Sequence, residues 1–530
     1  MFWLDRVFNE ASVVLKDKIA SGETLLIRDE KTASGRVHVG SLRALALHAA
    51  LAERLEEAGI PHAFKYEIND YDVMDGLPMY LDKETFEPHM GKILYYVPSP
   101  DPAKAKNYPD YFGDEYRGVI EELGYHPEFY KSSELYLSGK MDEPIRLALE
   151  HHDVVRDIYK KVSNGLRPTD WYPLFVVCES CGKVGTTRVN EFDGEQVTYT
   201  CEPAAVEWAA GCGHQGKVSP YGGKGKLPWK LEWAAKWLVL GVDIEGAGKD
   251  HYSKGGARDV AEHVSREVFH YEPPFGVPNE FFLVGGKKMS SSKGAGSSAR
   301  EIADLVPPHI LRLALLAKDI NKQTNFDPSG DTIPLLFDQY DRLAEHYWQG
   351  NEDDDETRLF RFVHPKEAEK LFTPRFLPKF SLVVFVVQMP HLNLENEAAR
   401  LKGAPLTDDD REELALRAEY ARRWLAIADE SYRFELALGA PPEATHTFTD
   451  GQKSLLKQVL AYVEEHEQLD GQELHTALHA IRKESGIEPS EFFSALYLSF
   501  LGKPSGPKAG WFLSVLDRNF LINRLKEVVS

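Results

Sequence analysis

Cysteine is scarce in this 530-residue chain. There are only four, and all fall between Cys178 and Cys212. A long chain with its cysteines bunched in one place has no disulfide framework, and the bunching favours a metal site. Long apolar runs are also missing. No stretch approaches the roughly 20 uncharged apolar residues that a membrane span requires. The first residues, MFWLDRVFNEASVVLKDK, contain acid early and lack the apolar region of a signal peptide. These absences predict a soluble cytoplasmic protein with no membrane partner. Positive charge is in deficit as well, with a net charge of −21. Such a surface repels phosphates at long range, so any nucleic acid must be met on local patches. Two such patches stand out: Lys224, Lys226 and Lys230, and Lys287, Lys288 and Lys293. The acidic runs 352–356 and 408–413 read as solvated surface, and no internal repeat is present.

What is there suits two to four domains with sizeable cores: 43% hydrophobic and 27% charged residues. Residues 24–28 (TLLIR) read as a buried strand. A loop with Thr32, Ser34 and Gly35 follows. Leu42, Leu45, Ala49, Ala52 and Leu55 then recur at helical spacing, with Gly59 and Pro61 closing the helix. Residues 63–68 form the next strand. Strand, loop, helix and strand open a doubly wound parallel α/β sheet of Rossmann type. Sheet-like alternation resumes near 237–242, a helix is expected over 259–269, and a strand over 281–284. Beyond about 300 the pattern is helical, with Thr407 capping one helix and Leu455, Val459 and Val463 marking another. The predicted organisation is a split catalytic domain (1–72 and 221–300), an insertion (73–220) and an all-α C-terminal region (301–530) of one or two bundles.

Two loops carry chemistry. In the first, His38-Val39-Gly40-Ser41 lies where the first strand gives way to the first helix, the place where open α/β folds bind ligands. Amide groups at the helix start favour phosphate, Gly40 lets a nucleotide approach the backbone, and His38 can donate to a phosphoryl oxygen. The second, Gly285-Gly286-Lys287-Lys288-Met289-Ser290-Ser291-Ser292-Lys293-Gly294, combines hinge glycines with cations suited to a polyphosphate. It lacks the spacing of a Walker A loop. Between them lies Cys178-x2-Cys181, followed by Cys201 and then Cys212-x-His214. Four soft ligands suit tetrahedral Zn²⁺. The set is Cys178, Cys181, Cys201 and Cys212, with His214 able to replace one thiolate. With no open position, such a Zn²⁺ is structural and pins a module too small for its own core.

Taken together, the two loops resemble the HIGH and KMSKS signatures of class I aminoacyl-tRNA synthetases. Ser41 stands at the second His of HIGH, and Ser291 at the second Lys of KMSKS. Further segments resemble the class I lysyl-tRNA synthetase family: residues 28–35, Asn69-Asp70-Tyr71-Asp72, Gly248-Lys249-Asp250-His251, the cysteine region, and Gly506-Pro507-Lys508-Ala509-Gly510-Trp511. The resemblance spans nearly the whole chain. It implies ATP-dependent formation of lysyl-adenylate, then transfer of lysine to the end of tRNA(Lys), with Mg²⁺ accompanying ATP. His38, Lys288 and Ser290 are then the expected catalytic residues. Ser34, Gly35, His38, Gly40, Ser41 and Lys288 through Ser292 are expected around ATP. Asp29, Thr32, Trp233, Asp250 and His251 are expected around lysine, with Glu30 and Asp70 as further acidic candidates. The C-terminal helices are expected to read the anticodon. A monomer is compatible with all of this. Three readings stay open beside it: a class I synthetase for glutamate or arginine, a nucleotidyltransferase without tRNA, and a non-catalytic RNA-binding paralogue.

Overall fold

The structure is a computed structural model that describes residues 2–286, 297–350, 354–365, 368–389, 392–439 and 441–530. The chain divides into two compact units. One comprises Met1–Asp327 with Arg342–Thr373, the other Pro328–Asp341 with Pro374–Ser530.

The first unit is built on five strands: β1 (Leu25–Thr32), β2 (His62–Asn69), β3 (Glu128–Lys131), β4 (Ile244–Gly248) and β5 (Phe275–Asn279). They lie in the order β5-β4-β1-β2-β3, and every neighbouring pair is parallel. The order runs outward from β1 in one direction and then restarts at β4 in the other. The chain therefore leaves a crevice between the carboxyl ends of β1 and β4, the switch point where doubly wound sheets bind ligands. Strand β3 lies inside the span 73–220 that reads as an insertion, yet it joins the central sheet beside β2.

Helix α1 (Gly40–Glu57) follows β1 and buries Leu42, Leu45, Ala49, Ala52 and Leu55, the residues whose spacing marks it in the sequence. Gly59, at φ 68°, takes the left-handed turn that ends it. The alternation near 237–242 is not a strand. Residues Trp229–Leu240 form helix α2, which Gly241 closes at φ 73°. Trp229, Trp233 and Trp237 recur every four residues, as do Glu232 and Lys236, so helical periodicity wins over the short Trp-Leu-Val-Leu run. Helix α3 (Ala257–Glu267) falls where a helix is expected. Beyond it, β6 (Phe282–Val284) pairs in parallel with β7 (Thr324–Phe326), a short strand in a stretch that reads as helical.

Among the described residues the second unit is helical throughout. Its core gathers Leu455, Leu456, Val459, Leu478, Leu496 and Phe500 with their neighbours. Helix α4 (Asp408–Leu425) begins with a capping box in which Thr407 and Asp410 bond each other's backbone amides. The acidic run at its start is not wholly solvated surface. Asp410 and Glu413 are buried, held by Lys402 (2.5 Å) and Arg417 (2.6 Å). Among the described residues no helix is long and apolar enough to cross a membrane.

Candidate active site

The crevice at the switch point holds a cavity of about 370 Å³. Residues 29–32 of β1 and 245–248 of β4 form its floor. His38, Gly40 and Ser41 at the start of α1 form one side, and Trp229 and Trp233 of α2 another. Phe281, Phe282 and Leu283 close it. The first strand ends in charged residues because its two faces have different work. Side chains alternate along a strand, so Arg28 and Glu30 point one way and Asp29 and Lys31 the other.

On the Arg28 side lies a buried ionic network. Arg28 is fully buried and donates to Glu67 and Glu245, each at 2.5 Å, and to Glu30 and Tyr130. Lys236 of α2 is equally buried and reaches Glu67 at 2.5 Å, Glu30 at 3.2 Å and Glu232 at 3.3 Å. Lys226 pairs with Glu232 and lies 3.5 Å from Asp72, which accepts from the Thr32 hydroxyl at 3.2 Å. Burial pushes the Glu67 carboxyl up, but Lys236 and Arg28 outweigh it and hold Glu67 well below the ordinary carboxylate range. Ions this deep stay charged only because each has several partners.

On the other side of β1, Asp29 is 7% exposed. Its Oδ1 accepts the Glu30 amide at 2.8 Å, while Oδ2 has no hydrogen-bond donor among the described residues. The nearest ring nitrogen is His48 Nδ1 at 3.5 Å. That histidine is fixed by backbone. Gly246 N–H donates to Nε2 at 2.7 Å, so the proton sits on Nδ1, which contacts the Ala44 carbonyl at 2.8 Å. Asp29 thus lines the cavity while its Oδ2 is turned toward His48. The rings of Trp229, Trp233 and His251 form a wall of the same cavity, with His251 5.8 and 5.7 Å from the two indoles. Trp233 Nε1 is buried without an acceptor among the described residues. An acidic floor under an aromatic wall suits a ligand with an aliphatic stem and a cationic end.

Of the residues singled out in the sequence, Asp29, Thr32, His38, Gly40, Ser41, Trp233, Asp250 and His251 all line this one cavity. Ser34 and Gly35 do not. The Ser34 carbonyl instead accepts the Tyr108 hydroxyl at 3.0 Å. Lys287, Lys288, Met289, Ser290, Ser291, Ser292 and Lys293 lie outside the described residues. Their flanks are informative. Phe282 and Leu283 line the cavity just before them. Just after them, Val39 N–H donates to Ser297 (3.2 Å) and Ala299 N–H to Val37 (2.7 Å). The chain therefore leaves and returns beside the His38 loop. Asp70 is not at the cavity. It accepts the Ser133 amide and hydroxyl at 2.7 and 2.6 Å, and burial pushes its carboxyl up to about 6. Lys226 is buried in the network above, so the cluster of Lys224, Lys226 and Lys230 is not an open basic patch.

The sequence reading missed Glu245, Glu67 and Lys236. Only Glu232 and Lys236, four apart on a Trp-rich helix, left a trace.

The four cysteines converge elsewhere in the first unit. Cys178, Cys181, Cys201 and Cys212 place their sulfurs all within 4.8 Å of one another. Cys178 and Cys212 are 3.6 Å apart, Cys181 and Cys201 3.7 Å. Tetrahedral Zn–S bonds of about 2.3 Å put sulfurs roughly 3.8 Å apart, so the four thiols fit one such ion. One backbone contact is a tight turn and the other joins two separate segments. Cys178 accepts from Gly182 N–H at 2.8 Å and Cys201 from Gly213 N–H at 2.9 Å. His214 is not among the four; its ring packs on Tyr199.

Comparison with known proteins agrees along the chain. The family model described as tRNA synthetases class I (K) matches residues 1–366, and that of an anticodon binding domain matches residues 388–529. A lysine–tRNA ligase of Methanosarcina barkeri is 30% identical over 98% of this chain and 97% of its own length. One of Methanocaldococcus jannaschii is 31% identical over 99% of each. A solved glutamate tRNA ligase from Elizabethkingia meningosepticum covers 96% of this chain and 99% of its own at 12% identity and a TM-score of 0.41, too weak a likeness to carry an argument.

Proposed function

This chain belongs to the class I tRNA synthetases of the lysine type, and from that membership we propose that it is a lysine–tRNA ligase working in the cytoplasm. The observation that carries the substrate is the cavity itself, lined by the carboxylates of Asp29, Glu30, Glu245 and Asp250 and walled by tryptophan. Such a lining suits an ammonium group on an aliphatic stem.

In the first step, a carboxylate oxygen of lysine bonds to the α-phosphorus of ATP. The bond to the bridging oxygen breaks, and pyrophosphate leaves with its electron pair. The nucleophile is already ionised at neutral pH, so no general base is needed, and catalysis is positioning plus charge stabilisation. Asp29 and Asp250 hold the lysine ammonium groups, while Thr32, Trp233 and His251 enclose the stem. Gly40 and Ser41 at the head of α1 receive the nucleotide, and His38 with Lys288 takes phosphate charge. Ser290, with Met289, Ser291 and Ser292, shapes the loop over ATP. Ser34 and Gly35 set the path of the loop before α1. Mg²⁺ arrives with ATP.

In the second step, the terminal 2′-hydroxyl oxygen of tRNA(Lys) bonds to the acyl carbon. AMP leaves with the electron pair, and the hydroxyl proton is released. Residues 388–529 read the anticodon. Cys178, Cys181, Cys201 and Cys212 hold a structural Zn²⁺.

The test is ATP–pyrophosphate exchange with each of the twenty amino acids, with and without tRNA. Exchange with lysine alone is expected. Exchange that appears only with tRNA and glutamate or arginine overturns the lysine assignment, and no exchange at all overturns the enzyme. Metal analysis should find one zinc per chain, lost on Cys181→Ser and retained on His214→Ala.

A further inference from the structure

We propose that Lys31 is a further catalytic residue of the activation step, its ammonium bridging the amino-acid carboxylate and the α-phosphate of ATP while the bond between them forms. The proposal rests on the lysine–tRNA ligase reading for its substrates. It rests on the cavity for its geometry.

Lys31 lines the same cavity as His38, Gly40 and Ser41. These residues belong to the amino end of α1, an 18-residue helix whose positive dipole end favours phosphate. Strand alternation puts Lys31 on the face of Asp29, not on that of Arg28 and Glu30. This placement separates it from the cations committed to structure. Arg28 and Lys236 are consumed by Glu67, Glu245, Glu30 and Glu232. Arg36 on the nearby loop is taken by Glu115 and Glu301. Lys31 makes neither a salt bridge nor a hydrogen bond among the described residues, although it is more than half buried.

Burial lowers the Lys31 pKa, and the pull of Asp29 and Glu30 does not restore it. A buried cation that Asp29 and Glu30 only partly offset is stabilised by a further anion in the cavity. The reaction supplies two: a carboxylate and a phosphate.

Spacing fits the same assignment. Two residues along a strand span roughly 6–7 Å. An amino acid whose side-chain ammonium rests on Asp29 then brings its carboxylate toward Lys31 across its four-carbon stem. As that carboxylate attacks, negative charge concentrates on the equatorial oxygens of the α-phosphorus. The Lys31 ammonium faces that charge without exchanging a proton, and pyrophosphate departs with the electron pair of the broken bond.

The experiment compares wild type, Lys31→Met and Lys31→Arg as full chains. Pyrophosphate exchange is run with lysine, or with whichever amino acid the wild type activates. The expected result is a fall in kcat on the order of 10²–10³-fold in Lys31→Met, the scale of losing one pre-placed charge-stabilising group. KM for the amino acid should change by less than about threefold, and Lys31→Arg should recover at least tenfold of the loss, because it restores the charge. If Lys31 only screens Asp29, Lys31→Met shifts KM for the amino acid while kcat holds, and the proposal is overturned. An unchanged kcat in Lys31→Met overturns it too. Should Lys31→Met fail to fold, Lys31→Gln takes its place. If the wild type activates no amino acid, the ligase reading falls by itself. Lys31 is then judged by ATP titration of tryptophan fluorescence: weaker ATP binding in Lys31→Met upholds its phosphate contact, and equal binding ends it.

Discussion

The floor of the cavity and the core of the helical unit solve the problem of burial in opposite ways. Beneath the cavity, Arg28, Lys226, Lys236, Glu67, Glu232 and Glu245 are all nearly inaccessible and satisfy one another. In the helical unit, the core is a contiguous set of Leu, Val and Phe side chains from several helices, and the buried ions sit to one side in Arg417, Asp341 and Glu413. Apolar packing is cheaper to assemble and tolerates repacking. A buried ionic floor is rarely the more stable choice. Its place directly under the cavity argues that it serves the site. It fixes β1 so that Asp29 and Lys31 face the cavity at a set spacing.

The largest expected break in this contrast comes from Arg28→Met. It leaves Glu67 and Glu245 each without a main partner and should destabilise the first unit by about 3–5 kcal/mol in denaturant unfolding of the full chain. Combining it with Glu67→Leu should recover part of that loss, since both ends of the pair are then apolar. A worse double variant would show that the network is not acting as pairs.

The matching cut in the helical unit is Leu496→Ala, with a loss of about 2–5 kcal/mol in the same measurement. Unlike Arg28→Met, its effect should stay constant across pH.

The acid limb of stability sharpens the difference further. Glu67 has a folded value below its unfolded one, near 4.3. Its contribution is therefore complete above that value and is lost as pH falls below it. Glu245 runs the other way, because burial holds its carboxyl up, so acid partly relieves its strain. Unfolding followed between pH 6 and 3 should show a net loss of stability in wild type that is reduced in the Arg28→Met, Glu67→Leu variant.

The smallest effect is at the helical unit's surface. Thr407→Ala removes one half of the capping box of α4 and should cost about 1 kcal/mol.

Much of the site was readable because it is local. The run from Ser34 to Ser41 is a short loop into a helix, and the Cys178–Cys181 spacing is a turn that closes on itself. Both are built within a few residues, and their chemistry shows in the spacing. The strand assigned to 237–242 went wrong for a similar reason. Over four residues, apolar alternation and a buried helix look the same, and only the i, i+4 Trp and Glu–Lys pattern over twelve residues separates them. The acidic run 408–413 misled because charge alone does not reveal that Asp410 is held by a lysine and a cap.

By itself, the sequence determined the order of strands and helices in the opening of the sheet, the helix starts and stops, and the types of residue offered to nucleotide and metal, since periodicity, capping and turn chemistry act over a few neighbours. Tertiary structure alone decided which charges are spent in the network and which line the cavity. Arg28 meets Glu67 across 39 residues and Glu245 across 217, and only when β1, β2, β4 and α2 come together are those carboxylates neutralised while Asp29 and Lys31 are left facing the cavity.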